Sequence, residues 1–217
     1  MTPLARSLAA LADLAQRPGF GADSGGAAGG SFQPALVHRG PGDTEAGTAA
    51  AGTAAAGTAE ADHRVWAHAG AVALRTYGVT DSVFPVEVVA RRRLPEDVAT
   101  TPAASDAQRW TPAGGVPVLW RSRQDHFAPL FDAAIASASG APAVVSAPAL
   151  VALLLQSRSH ERTLLQLLMT GEIDFDAARA FTRTHLGPYA LDDLESVMQE
   201  AEWRFMRRRY AEGGDLH

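Results

Sequence analysis

Between residues 19 and 61 the chain has almost nothing to bury. The stretch is mostly Gly, Ala, Ser, Thr and Pro, and Ala46 to Glu60 repeats a five-residue unit: AGTAA, AGTAA, AGTAE. So short a repeat offers no apolar face for a solenoid to stack. A Gly and a β-branched Thr in every unit also oppose the helix that Ala would favour. Without burial to offset ordering entropy, the stretch is expected to be a disordered, flexible linker with one apolar island at Phe32, Leu36 and Val37. It therefore divides the 217-residue chain. The expected organisation is an amphipathic helix over 1–18, the linker over 19–61 and a folded domain over 62–212. That domain is expected to be mainly α: a small mixed α/β element over 62–123 and a helical bundle over 124–212.

The first helix has Thr2 as cap and Pro3 in its first turn, with Leu4, Leu8, Leu11 and Ala15 on one face; Pro18 ends it. An isolated helix of about four turns is marginal in water. Leu4, Leu8 and Leu11 are thus candidate docking residues, to be covered by another protein or by the bundle, unless this is a frayed terminus with fortuitous spacing.

Past the linker, Asp62 is placed to cap a helix with Val65, Trp66, Ala69, Val72, Ala73 and Tyr77 on one stripe and Gly78 as its stop. Residues 83–90 read as an edge strand, because Pro85 bars a central one. Residues 116–121 read as a second short strand, the two forming a hairpin-like pair, and the Pro and Gly residues from Pro95 to Gly115 mark a loop between them. The C-terminal half is clearer. Phe127 to Ile135 make a helix that stops at Gly140. Ser146 opens another over Leu150 to Leu155, and Ser159 could cap a third over Leu164 to Met169, unless the last two are one helix. Asp174 caps a fourth, closed by Gly187 and Pro188. A final helix carries Leu191, Leu194, Val197, Met198, Ala201 and Phe205 on one stripe.

Composition removes several chemistries. There is no Cys, so a disulfide framework, a thiolate nucleophile and Cys-ligated metal are excluded. All 19 basic residues are Arg, which fits a GC-rich genome and makes a choice of Arg over Lys uninformative. No apolar run is long enough to span a membrane, and no secretory cleavage pattern follows Arg6. A soluble protein of the bacterial cytoplasm is expected, an organellar transit peptide being the minor alternative.

Catalytic constellations are equally thin. His63 and His68 are five residues apart, off a common helical face. His126, His160 and His185 lie near helix ends without carboxylates at ligand spacing. Asp174 and Asp176 alternate as calcium ligands do, but Arg179 and His185 stand where an EF-hand needs Gly and Glu. Helix capping accounts for these acids and for Asp192, Asp193 and Glu195. The Gly-rich run from Gly21 to Gly30 lacks the preceding strand, and the chain lacks the Lys, of a nucleotide-binding loop. No nucleophile elbow surrounds Ser137, Ser139 or Ser146. No cofactor or metal is expected.

Three Arg clusters remain: Arg91 to Arg93, Arg121 with Arg123, and Arg204 with Arg207 to Arg209. The last helix adds an oddity. Trp203, Met206 and Tyr210 fall on the side opposite its apolar stripe, and only over the final two turns. Either the mixed element covers them or another chain does, and aromatic and Arg residues commonly anchor interfaces. The candidate partner-binding residues are Trp203, Arg204, Met206, Arg207, Arg208 and Tyr210, with Leu4, Leu8 and Leu11. The function expected is non-enzymatic: an interaction, adaptor or assembly protein whose partner is another protein, itself or a different one. The alternative is a nucleic-acid-binding regulator using the Arg clusters, and the third reading a small enzyme with a His and Asp site.

Overall fold

The computed structural model describes residues 1–17, 64–80, 85–95, 97–98, 101–102, 107–123, 125–157 and 161–212. The expected linker, Asp62, His63, Ser159 and His160 lie outside the described residues. Among those described the fold is mainly helical, with seven helices and a small mixed sheet. In chain order the elements are α1 (Pro3–Ala15), β1 (Trp66–Ala69), α2 (Gly70–Thr76), β2 (Val86–Ala90), β3 (Thr101–Pro102), β4 (Ala107–Trp110) and β5 (Val118–Ser122). Then follow α3 (Ala128–Ala136), α4 (Ala147–Gln156), α5 (Glu161–Leu168), α6 (Phe175–Leu186) and α7 (Pro188–Glu212).

The sheet order is β1-β2-β5-β4-β3. β1 runs antiparallel to β2, β2 parallel to β5, and β5, β4 and β3 are successively antiparallel. Alternation along the strands splits the core into two layers. Ala67, Ala69 and Val89 face the bundle and join Leu130, Phe131, Leu150, Leu164, Leu167, Leu194 and their neighbours. Val86, Val88, Ala90, Val118 and Trp120 face the other way and are covered by Leu11 and Leu14 of α1.

Several expectations need correction. The helix expected from Asp62 is instead strand β1 followed by the short α2. Gly70 makes the corner with φ +49°, at a point where a side chain would collide with Glu87, a conformation that favours glycine. The edge strand expected over 83–90 is, in its described part, the inner strand β2, which lies between β1 and β5. Pro85 precedes it and only accepts, from the Ala71 N–H at 3.3 Å. The strand expected at 116–121 is β5, but it pairs parallel with β2 and makes its hairpin with β4. β3 and β4 occupy what reads as a loop. α4 and α5 are two helices, not one.

The first helix does not stand alone, and the surface that covers it is the sheet, not the bundle. Ser7 is fully buried; its Oγ accepts from the Val116 N–H at 2.8 Å and lies 3.0 Å from the Val116 carbonyl, to which it can donate. Arg6 donates to the Gly114 carbonyl at 3.2 Å, and Arg17 pairs with Asp97 at 3.2 Å. Leu14, not Ala15, completes the buried face.

Candidate interaction surface

α7 runs for 25 residues, about 37 Å at 1.5 Å per residue. Gly187 stops α6, Pro188 starts α7, and Leu194, Met198 and Ala201 sink into the bundle. Its substantial contacts are with α4, α5 and α6. Arg179 of α6 grips Glu195 of α7 through two hydrogen bonds of 2.6 and 3.3 Å. That pairing holds the Glu195 carboxyl below the usual carboxylate range and raises the Arg179 guanidinium.

The outward side of α7 is left uncovered. Tyr189, Trp203 and Met206 are 85%, 55% and 48% exposed. Phe205, expected on the buried stripe, is 46% exposed: its heptad position is right, but the helix outruns the bundle there. The Arg207 guanidinium sits over the Trp203 ring at 5.1 Å, and Arg204 donates to Glu200 at 2.6 Å. Arg208 is exposed on the same two turns. The Tyr210 side chain lies outside what is described.

Beside α7 opens a cavity of about 360 Å³ lined by Leu154, Leu155, Leu164 and Val197, with Glu161, Asp193 and Ser196 contributing its polar groups. Sequence reasoning missed it because three helices build it. On the far side of the molecule Leu4 and Leu8, with Val72, Val86 and Val116, line an apolar groove of about 480 Å³. Those two leucines and Leu11 therefore face the chain's own sheet.

The other Arg clusters sit elsewhere, at the C-terminal ends of β2 and β5. Arg121 donates to Glu87 at 2.7 Å and to the Gln156 side chain at 3.1 Å, with its guanidinium 5.4 Å from the Phe131 ring. Arg91 pairs with Asp132 at 3.3 Å and Arg123 with Asp125 at 3.4 Å. The cluster is thus interleaved with acids.

Each of the three described histidines has an aromatic neighbour of its own. His68 is buried in β1, edge-on to Trp66 at 5.2 Å. His126 stacks on Phe127 before α3, and His185 on Phe181 in α6. Among the described residues no three of His, Asp and Glu are placed to hold a metal ion, and no helix is long and apolar enough to cross a membrane. Asp174 caps α6, accepting from the Ala177 N–H at 3.0 Å.

Compared with known proteins, the chain matches no family model, no curated sequence and no solved structure.

Proposed function

We propose that this is a non-enzymatic interaction or assembly protein whose binding surface is the outward face of α7. The observation that carries the reading is the exposure of Trp203 and Met206 side by side on one turn of that face, with Arg204, Arg207 and Arg208 exposed around them. Single exposed apolar residues are ordinary; two large ones side by side with Arg have the composition of interface hot spots. The helix needs none of them for the fold, because its buried stripe already fixes it to the bundle. By the same reading the domain is a scaffold, with α1 docked on the sheet and the bundle presenting α7. Nucleic-acid binding is less well supported: Arg91, Arg121 and Arg123 are partnered by acids, and the overall charge of −5 opposes a polyanion. A photo-crosslinking residue at position 203 or 206, with position 92 as an exposed control, tests the reading in cells. Discrete adducts to a polypeptide from 203 and 206 but not from 92 are expected. Equal labelling from all three positions would refute the proposed surface.

A further inference from the structure

The outward face of α7 carries Asp192, Asp193 and Glu195 toward the N-terminal end and Arg204, Arg207 and Arg208 toward the other, with Glu200 and Glu202 between them. At 100° per residue, Asp193, Ser196, Glu200, Trp203 and Arg207 share one flank of that face. The cavity opens on this flank at Asp193 and Ser196; the aromatic and Arg ridge rises on the same flank two to three turns further on. A two-fold axis across a helix brings the same flank of both copies together, in opposite directions. With the axis beside Glu200, position 193 of one copy lies opposite 207 of the other, and 196 opposite 203 and 204.

We infer that the partner of this face is a second copy of the chain, paired antiparallel along α7, with Trp203 of each copy seated in the cavity beside Ser196 and Asp193 of the other. The inference rests on reading α7 as the interaction surface and names its occupant. The cavity suits an indole: Leu154, Leu155, Leu164 and Val197 supply apolar walls, and the acids and hydroxyl at the rim offer acceptors for the ring N–H. Arg207, already stacked on Trp203, arrives with it opposite Asp193. Neither Asp193 nor Arg207 has an ion-pair partner among the described residues, and Glu161 adds a second acid at the same rim. At the axis the two Glu200 carboxylates do not meet bare, because each holds its own Arg204 at 2.6 Å. Two ridges fill two cavities, so the pair is closed and leaves no site for a third copy.

The footprint is a strip about 10 Å wide and roughly 20 Å long on each copy, below the standard size of specific interfaces and in the range of weak, transient pairs. Association is therefore expected in the micromolar range and to weaken with salt. Sedimentation of the full chain across the micromolar range tests it, using Asp193→Arg and Arg207→Asp. Both positions are exposed, and circular dichroism of each variant checks that it is folded. Each variant alone sets like charges opposite one another twice and is expected to weaken dimerisation about tenfold or more. An equimolar mixture sets opposite charges together twice and is expected to restore it. A chain that stays monomeric throughout, a dimer indifferent to either reversal, or a mixture no better than its components would each overturn the inference. Crosslinks from position 203 to a different polypeptide, with the purified chain monomeric, would overturn self-pairing while leaving the interaction surface standing. Absence of both dimer and crosslink would remove the two together.

Discussion

The imidazole of His68 is buried in the sheet against Trp66, with Nδ1 lacking a hydrogen-bond partner. Burial penalises the charged ring and lowers its pKa from 6.5 to about 4. The folded chain thus holds the ring neutral where the unfolded chain would protonate it. That contribution is fully present above pH 6.5 and is lost as pH falls toward 4. Urea unfolding at pH 7.5 and at pH 5 should differ by about 2 kcal/mol from this group. His68→Leu should shrink the difference by that amount; an unchanged pH dependence would mean the ring titrates normally. A second sensitive residue is Gly115. A methyl there would collide with Ser7 Oγ, the group that ties α1 to Val116. Gly115→Ala should cost about 1–3 kcal/mol and speed amide exchange in α1, and a protein as stable as the parent would place Ser7 elsewhere.

At the scale of elements, α1 is a structural layer. Leu11 is fully buried against the side of the sheet that carries Val88 and Trp120. Leu11→Ala is expected to lose about 2–4 kcal/mol in chemical unfolding; a loss under about 1 kcal/mol would mean the helix is not seated on the sheet. The helices were the legible part of the sequence because their signals are local. Thr2, Ser146 and Asp174 each cap the helix they were expected to cap, through hydrogen bonds three residues ahead. The strands were less legible because their partners are remote. Trp66, Ala69, Val72 and Ala73 fit a helical stripe, and only remote pairing decides for a strand: β2 on one side, and Ala143 and Val145, bonded to His68, on the other. AQRW in β4 has a single aromatic and no β-branched residue to announce it. The candidate surface was half legible. Two opposed stripes on the last helix exposed Trp203 and Met206 as surplus to the core. Nothing local could show that the bundle ends before Phe205, or that Ser196 and Asp193 border a cavity.

For the molecule as a whole, the bundle and α1 cover the two faces of the central strands, so the fold closes its core without the outer face of α7. Two roles are therefore separated along one helix: Leu194, Met198 and Ala201 hold it in place, while Trp203 and Met206 stay exposed. The double variant Trp203→Ser, Met206→Ser tests this separation when stability and association are measured on the same protein. Equilibrium unfolding should match the parent within about 0.5 kcal/mol, as expected for exposed positions, while complex formation is lost. A stability loss above about 2 kcal/mol with association unchanged would contradict the account, because these side chains would then belong to the core.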